Sequence, residues 1–528
     1  MNDQSFWVSV NDLKAYANAF YGLIPGGVSV LDDTDSDIQV PNNINSFLWG
    51  QYVVPTEGGV WQKSNWQNIR NINYFMTHYQ SVQAAEADVN IYVAEMRFFR
   101  ALEYFNKIQL LGDVPWLEVD LNVDSEELYG PKMKRNQVFQ KIIEDLDFAI
   151  QWLPEAGSEE ANRLNKDIAR HVKARFCLNE GTHYKYHDEL EYASEAEKWL
   201  QMAATESDKL ITSGRYEIYN TGHPQEDYFN MYRIDDKSDL KEAVLYVDYK
   251  TNILEHNMAA AGREAGCGFS KSFVESFLCS DGLPISLSNK YLGDETMRKE
   301  TANRDPRLKQ LILTNDFPTN VTDDLKDSTF VVNEDEFITQ HCFTGYRPIK
   351  GFNPIYSQAL YMKSSFDGIA YRYAETLLIN AEAKAELNTI TNADLDRTVN
   401  QLRDRVGMPH LTVNVGFTDP KWPDWGYSLS PILQEIRRER CIELAGEGFR
   451  FNDLKRWKAG KLLNNVLTYV GKRKPDGNLA IVYPNYTNPD LSYQAGKSRT
   501  WEDKMYLYPI PTGELQRNPQ LLPQNPGW

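Results

Sequence analysis

The strongest constraint on the fold lies in the stretch PILQEIRRERCIELAGEGFRFNDLKRW, which covers residues 431–457. Its apolar residues recur at spacings of three and four, as in an amphipathic helix, and Arg440 falls on the same face as they do. A buried guanidinium group is costly unless it is paired, and Glu443 and Glu447 are the nearest acids by helical spacing. The stretch therefore predicts a helix with a buried ion pair.

Two interpretations of this stretch are open. Glu443 and Glu447 could form the acid pair of a glycoside hydrolase, which needs one carboxyl group with a raised pKa. Alternatively, the charges could form a structural clamp, in which Arg450, Asp453 and Arg456 pair across a helix–turn–helix joint. Every acid here has a base close in sequence, and such neighbours lower carboxyl pKa values. This favours the structural clamp, whose members would be Arg440, Glu443, Glu447, Arg450 and Asp453.

The rest of the chain is predicted to be mostly helical, with a large irregular insertion. Residues 85–112 show the helical pattern clearly, with apolar positions along one face and a glycine as stop signal. The other predicted helices cover about residues 135–154, 166–187, 191–213, 369–388, 392–406, 430–446 and 451–459. Between residues 215 and 365, short apolar runs alternate with Gly, Pro, Asn and Asp, which indicates loops, short strands and isolated helices.

We expect the chain to pack as a single unit over residues 1–528. Its parts would be an N-terminal helical half (1–214), an irregular ligand-binding insertion (215–365) and C-terminal helices with the terminal segment (366–528). Small residues among large ones in the N-terminal half suggest antiparallel helix pairs similar to tetratricopeptide repeats, although no strict repeat period is kept.

The overall charge and composition exclude some classes of partner. The formal net charge of −18 disfavours binding to nucleic acids and to anionic membrane surfaces, both of which attract basic proteins. No apolar run is long enough to span a membrane, and the first ten residues lack the features of a secretory signal. We therefore expect a cytosolic protein, or a processed or trimmed form of a longer chain. The five cysteines form no CxxC pair, which argues against zinc or redox chemistry.

No motif makes a positive case for catalysis. The sequence has no GxSxG element, no P-loop and no GxGxxG between a strand and a helix. The acidic run DDTDSD (32–37) resembles the start of a calcium loop but lacks its later glycine and glutamate, so we expect a solvated acidic loop. His183 and His187 share a predicted helical face without an obvious third metal ligand. We expect no catalytic residue, no metal site and no cofactor, with calcium as the open alternative.

Several segments also resemble one family, in the order in which they occur along the chain. The segment IRRERCIELAGEGFRFNDLKRW (436–457) is similar to the C-terminal signature of the SusD/RagB family, outer-membrane lipoproteins that capture nutrients, mostly glycans. The other similar segments are AEMRFFRALEYFNKIQLLGDVPWL (94–117), SFVESFLCSDGLPI (272–285), NRDPRL (303–308), YRYAETLLINAEAKAELN (371–388), VNQLRDRVGMP (399–409) and YLYPIPTGELQRNPQLLPQNPGW (506–528). The matching region extends over about residues 61–528.

The resemblance implies a compact SusD-like fold of about four tetratricopeptide-like helix pairs that carry an irregular ligand-binding face. It also implies a surface-exposed outer-membrane lipoprotein that passes glycans to a partner, a TonB-dependent SusC-like transporter. The anchor cysteine and the signal peptide of such a lipoprotein are not in this sequence, which suits a trimmed form. The alternatives are a SusD-like protein that captures peptides, and a helical-repeat scaffold that binds only proteins.

Two irregular segments offer the groups that grip a sugar, which has an apolar C–H face and a polar rim. They cover residues 42–66 and 246–266, and family members with known glycan sites use loops from these two regions. The candidate ligand-binding residues are Trp49, Tyr52, Trp61, Asn65, Tyr249, Asn252, His256 and Arg263. Trp49 is expected to be exposed, whereas Trp61 suits a helix packed on the core equally well. A third candidate, the segment PKWPDWGY (420–427), could instead join the late helices.

Overall fold

The structure, a computed structural model, describes residues 6–29, 31–42, 45–481 and 499–528. The chain forms two compact units, each assembled from distant parts of the sequence. Unit 1 comprises Met1–Pro25, Tyr52–Phe176 and Glu502–Trp528, and unit 2 comprises Gly26–Gln51 and Cys177–Trp501. The predicted single unit and its divisions at residues 214 and 365 stay predictions.

The mostly helical architecture that the sequence predicts is confirmed. The α-helices of the described residues are α1 (Val10–Asn18), α2 (Gln67–His78), α3 (Glu86–Leu111), α4 (Arg135–Trp152), α5 (Lys166–Tyr186), α6 (Ala196–Ser213), α7 (Asp227–Met231), α8 (Met258–Arg263), α9 (Lys271–Ser276), α10 (Met297–Thr301), α11 (Arg307–Leu311), α12 (Tyr373–Glu386), α13 (Asn392–Asp396), α14 (Val399–Arg405), α15 (Pro431–Glu443), α16 (Arg450–Arg456) and α17 (Thr512–Arg517). None of them combines the length and apolar character that a membrane-crossing helix needs.

The strands of the described residues are short, and they pair antiparallel in twos. They are β1 (Gln39–Pro41), β2 (Ala243–Val247), β3 (Cys267–Phe269), β4 (Pro318–Val321), β5 (Ser328–Phe330), β6 (Gly368–Arg372), β7 (Val470–Arg473) and β8 (Leu479–Ile481). The pairs are β1 with β3, β2 with β6, β4 with β5, and β7 with β8. All eight strands belong to unit 2, so the irregular segments of that unit are tied together by small ladders and not by one large sheet.

Two predicted helices differ from the observed elements. The helix predicted over 369–388 begins with the strand β6, because this apolar run pairs with β2 before the chain turns into α12. The helix predicted over 392–406 is divided into α13 and α14. Thr398, between them, has φ −131° and ψ −99°, which no α-helix accommodates. Continuous apolar runs do not by themselves distinguish a buried strand from a buried helix.

In unit 1, α3 and α4 lie side by side and share a buried ion-pair group. The carboxylate of Asp145 on α4 receives Arg97 Nε at 2.6 Å and Arg100 Nε at 2.7 Å, both from α3. Around this group most of the apolar face of α3 is buried, with Phe98 and Phe99 inaccessible to solvent. The apolar stripe that predicted the helix is therefore also the stripe that packs.

In unit 2, the carboxylate of Glu443 at the end of α15 is the centre of the predicted clamp. It is fully buried and accepts hydrogen bonds from Arg307, Arg372 and Arg405, at N–O distances of 2.6 to 3.0 Å. Burial alone would raise the pKa of this carboxyl group, but the guanidinium groups hold the pKa well below its ordinary value. Glu443 is therefore charged and paired, which favours the structural interpretation over a general acid.

Glu447 has a similar role just beyond α15. Its carboxylate accepts from Lys350 Nζ at 2.5 Å and from Arg372 Nη2 at 2.8 Å. Gly446 and Gly448 flank it with φ of 82° and 81°, in the left-handed region that favours glycine. The sharp turn of these glycines ends the helix and brings Glu447 to its two bases.

The predicted partners of Arg440 are wrong. Arg440 is buried, but its guanidinium pairs with Asp453 at 2.8 Å and lies 3.8 Å from Glu382. Glu443 and Glu447 are instead taken by bases from other elements. Helical spacing indicates which acids of the same helix can reach Arg440. It does not show which acids of other elements come closer in the folded chain.

The acidic run 32–37 is also not the solvated loop that the sequence suggests. Asp37 is buried and forms a bidentate pair with Arg450, at 2.7 and 2.8 Å. Asp33, buried as well, accepts the backbone N–H groups of Gly446 and Arg450 at 2.7 and 2.9 Å. Burial raises the pKa of Asp33 to about 7. This run is part of the clamp, joined to it across 413 residues of sequence.

The substitution Glu443→Ala should lower the free energy of unfolding by about 3–5 kcal/mol, because it leaves three buried guanidinium groups without their shared acceptor. Chemical denaturation followed by circular dichroism measures the change. Glu217→Ala is a control, since Glu217 and Lys241 form an exposed pair 3.3 Å apart and such pairs contribute little. Unchanged stability of the Glu443→Ala protein would contradict the role given to this carboxylate.

Candidate ligand-binding site

A loop of unit 2 presents large apolar side chains to solvent. In this segment, residues 355–364, Tyr361 is 77% exposed and Tyr356 is 50% exposed, and Leu360 and Met362 are exposed beside them. We refer to it as the Tyr361 loop. Apolar side chains that cluster on an irregular surface segment are typical of interaction sites, whereas single exposed ones are ordinary.

Hydrogen bonds fix the Tyr361 loop to its neighbours at several points. The N–H of Tyr356 donates to the end of β4 at 2.9 Å, and Ser364 exchanges two backbone bonds with His256 at 2.9 and 3.1 Å. Met362 donates its N–H to the side chain of Asn257 at 3.1 Å. The exposed side chains therefore stand on a framework held from both sides.

The clamp lies at both ends of this framework. Lys350 precedes the Tyr361 loop in sequence and Arg372 follows it, and both bind the carboxylate of Glu447. The chain therefore contacts the ion-pair network shortly before the loop and again shortly after it. The buried charges, for which the sequence favoured a structural role, bind the chain on both sides of an exposed surface.

His256 supports the surface from below. Its Nε2 donates to the carbonyl of Phe366 at 2.9 Å and its Nδ1 accepts the N–H of Met258 at 3.2 Å, so the ring is neutral. Burial lowers the pKa of His256 to about 4. The ring of Tyr249 meets it edge-on, with centroids 4.7 Å apart.

Tyr249 and Asn252, two of the predicted ligand residues, share one turn beside the Tyr361 loop. Backbone hydrogen bonds of 2.9 Å between Lys250 and Leu254 close the turn. Asn252 sits at its tip with φ 63°, a conformation that Asn tolerates better than most residues, and its side chain is exposed. The side chain of Arg263 lies outside the part of the structure that is described.

The expectation that Trp49 is exposed is wrong. Its side chain is only 7% exposed, and its ring packs edge-on against Tyr469 with centroids 5.6 Å apart. Phe47 and Leu48 beside it are also buried. Three consecutive large apolar residues in a turn bury more apolar surface together than a single tryptophan would. The polar residues on either side of them in sequence favoured the wrong prediction that Trp49 is exposed.

Three predicted ligand residues belong to unit 1. Trp61 is half-buried against Trp66, with ring centroids 5.1 Å apart. Asn65 donates its side-chain amide to a backbone carbonyl of its own turn at 3.0 Å. Tyr52 packs edge-on against two aromatic rings of the C-terminal tail, at 5.8 and 5.7 Å. Their contacts within the unit are thus largely structural, and their part in ligand binding stays a prediction.

The segment 420–427 joins the late helices, as one of its two interpretations predicts. The indole N–H groups of Trp422 and Trp425 donate to side chains of α15 at 2.7 and 2.6 Å. The hydroxyl of Tyr427 donates to the backbone carbonyl just after α16 at 2.5 Å. These indoles and the phenol are used in packing.

The groups exposed on these segments are suited to non-covalent binding. Within the described residues, no three His, Cys, Asp or Glu side chains converge as metal ligands would. His183 and His187 pack against each other with tilted rings whose centroids are 4.1 Å apart, and His187 also hydrogen-bonds a backbone carbonyl at 2.9 Å. The Tyr361 loop and the neighbouring turn instead combine exposed aromatic faces with amide and hydroxyl groups.

Comparison with known proteins agrees with the segments quoted above. The model of the SusD family matches residues 211–528, which is more than half of the chain. The chain belongs to the SusD family. This confirms the family resemblance, and the matched region contains the Tyr361 loop, the segment with Tyr249 and the clamp except for its acidic run 32–37.

Individual relatives extend the similarity along the whole chain. SusD-like protein P2 of Formosa agariphila is 25% identical over 456 residues, covering 84% of this chain and 75% of that protein. A crystal structure of a SusD-like protein from Bacteroides fragilis superposes with a TM-score of 0.76 at 24% identity, over 100% of this chain and 99% of that one.

Two further solved structures share the fold. A SusD-like carbohydrate binding protein from Bacteroides fragilis gives a TM-score of 0.72 at 20% identity, over 98% of this chain and 100% of that one. A laminarin binding SusD-like protein gives a TM-score of 0.58 at 19% identity, over 99% of this chain and 100% of that one. The SusD-like fold of this chain is therefore confirmed.

The substitution Trp49→Ala should lower the free energy of unfolding by about 3–5 kcal/mol, because it leaves a cavity in a packed turn. Tyr361→Ala is the matched control and should change stability by less than about 0.5 kcal/mol, since the removed ring lies in solvent. Urea denaturation of both variants measures the difference. A Trp49→Ala protein as stable as the Tyr361→Ala protein would show that Trp49 is not a core residue.

Stability should depend on the charge state of His256. A histidine whose pKa is lower in the folded than in the unfolded state stabilises the fold above its unfolded pKa and loses that contribution as pH falls through the folded pKa. For His256 this window runs from the ordinary value of 6.5 down to about 4. From pH 7 to pH 5, wild type should lose about 2 kcal/mol more unfolding free energy than His256→Gln.

Denaturation curves of the two proteins at both pH values measure this loss, and all other titrating groups cancel in the comparison. An identical pH dependence of wild type and His256→Gln would contradict a buried, neutral His256.

Proposed function

We propose that this protein is a non-catalytic, cell-surface glycan-binding protein, and that the Tyr361 loop with the adjoining turn around Asn252 is its binding surface. The observation that carries the proposal is the exposure of Tyr361, Tyr356, Leu360 and Met362 on one fixed irregular loop of a SusD-family chain. Sugar rings stack on aromatic faces through their C–H groups, and amide and hydroxyl groups bind their rim.

Two of the relatives support glycans as the ligand class. One solved structure with this fold is a carbohydrate binding protein and another binds laminarin. The loop itself suits this ligand class, because it is open and presents flat apolar side chains above a hydrogen-bonded framework. An extended chain of sugars can lie across such a surface without entering a deep cavity.

The two carboxylates that could have formed a glycosidase acid pair, Glu443 and Glu447, support binding without turnover. A glycosidase needs one carboxyl group with a raised pKa and a second one facing the same bond. Glu443 and Glu447 both have pKa values below the ordinary range, because arginine and lysine partners outweigh the effect of burial. Neither is therefore suited to donate a proton to a leaving sugar.

Capture of a glycan by this protein would be the first step of glycan import. We propose that the protein sits at the outer membrane through a lipid anchor and delivers glycan to a SusC-like, TonB-dependent transporter. A surface of this kind needs only modest affinity, because the transporter would supply further contacts to the same chain of sugars. Its outer-membrane position and its partner rest on family membership and on the resemblance of the quoted segments.

Affinity gel electrophoresis against a panel of polysaccharides tests the binding surface. Tyr361→Ala should weaken the retardation by the bound glycan about tenfold, which corresponds to about 1.4 kcal/mol of binding free energy. Tyr129→Ala is the matched control, because Tyr129 is a 52% exposed tyrosine of unit 1 and should bind as wild type does.

Trp61→Ala separates the two regions predicted from sequence. If Trp61→Ala weakens binding and Tyr361→Ala binds as wild type does, the site lies in unit 1 and the proposed surface is wrong. Release of reducing sugar in the same samples would contradict the non-catalytic function. Retention of peptides but of no glycan would indicate the peptide-capturing alternative.

A further inference from the structure

The charged side chains around the Tyr361 loop affect which ligand charges the loop can accept. Three lysines lie on the loop or on the segments that flank it, and each forms an ion pair with an acid of its own segment or of the adjacent one. The pairs are Lys250 with Asp248 at 2.7 Å, Lys326 with Asp324 at 2.9 Å, and Lys363 with Glu255 at 3.5 Å. Their positive charges are therefore already balanced by neighbours.

Acids remain in excess after this pairing. Asp323 is exposed and accepts the N–H of Ser357 in the Tyr361 loop at 2.9 Å. Asp327, also exposed, follows on the same β4–β5 hairpin, whose strand β4 binds the backbone of Tyr356. His256 adds no positive charge at neutral pH, because burial lowers its pKa to about 4.

The segment below the loop does not reverse this balance. Arg233 is half-buried and donates to the side chain of Asn353 at 3.4 Å, just before the loop. Asp235 and Asp236 follow it and are exposed, whereas Lys237 is buried. Among the side chains described here, acids outnumber bases on the surface, whereas in the segment beneath it the two acids are matched by the two bases.

We infer that the Tyr361 loop selects neutral glycans over glycans that carry sulfate or uronate groups. The inference rests on the proposed glycan-binding function of the loop and names its ligand class. A sulfate or carboxylate on the ligand would meet lysines that are already paired and aspartates that repel it. Exposed charges interact over about 8 Å at physiological ionic strength, which covers the distance across one loop.

Matched polysaccharide pairs test this selectivity with the full chain. The pairs are laminarin and sulfated laminarin, dextran and dextran sulfate, and hydroxyethyl cellulose and carboxymethyl cellulose. We expect retardation by at least one neutral member, at least tenfold weaker binding of its charged counterpart, and about tenfold weaker binding of the neutral member by Tyr361→Ala. Added salt should leave the neutral interaction unchanged, because screening acts only on charged partners.

The variant Asp327→Lys provides an independent arm of the test. It adds a positive charge beside the loop without removing an apolar side chain. It should strengthen binding of the charged member several-fold and leave binding of the neutral member unchanged. An Asp327→Lys protein that binds the charged member no better than wild type would count against the electrostatic selectivity.

The outcomes separate the selectivity from the proposed function. If the charged member binds as tightly as its neutral parent, and Tyr361→Ala still weakens the binding about tenfold, the glycan-binding function stands and the inferred selectivity is wrong. If neither member of any pair binds, or if binding is independent of Tyr361, the proposed function is wrong and the selectivity falls with it.

Discussion

The buried carboxylate of Glu443 is the interaction on which unit 2 depends. It receives guanidinium groups from α11, from the end of β6 and from α14, so a single side chain of α15 joins three other elements. In the low-dielectric interior, removal of any one partner leaves an uncompensated charge. The strands of the described residues are too short to hold such distant segments together, and the ion pairs take over that role.

This network explains how irregular chain can present a defined surface. Lys350 and Arg372 flank the Tyr361 loop in sequence and share the carboxylate of Glu447, while His256 and Asn257 hold the loop from the neighbouring segment. A loop that is ordered before the ligand arrives loses less conformational entropy on binding. Exposed aromatic side chains on such a loop can therefore bind with useful affinity although the surface is open.

Sequence reasoning predicted what depends on local periodicity. The apolar stripe of α3 and the charged joint at α15 and α16 carry their own signals, and so does the resemblance to the SusD family. The sequence-based predictions of ion pairs failed where the partner side chain lies on another element of the fold. Arg440 pairs with Asp453 and Glu382, and Asp37 reaches Arg450 across 413 residues, and neither choice is encoded in helical spacing.

The candidate site shows the same limit. The sequence-based candidates include Tyr249 and Asn252 but not Tyr361. In an irregular segment, buried and exposed residues do not recur at a regular spacing, so the sequence gives no pattern that predicts which side chains are exposed. The only signal in the sequence was a run of apolar residues, Leu360 to Met362, followed by a lysine and two serines. This run shows neither helical nor strand periodicity. Trp49 is the converse case: its polar neighbours predicted exposure, and two adjacent apolar residues bury it.

The most direct test of the account is a hydroxyl-radical footprint of the protein with and without a polysaccharide that retards it, read by mass spectrometry. The account predicts that the ligand reduces oxidation of Tyr361, Met362 and Tyr356, and leaves the exposed Tyr129 of unit 1 unchanged. Protection at Trp61, with full oxidation of Tyr361 and Met362 in the bound protein, would contradict it.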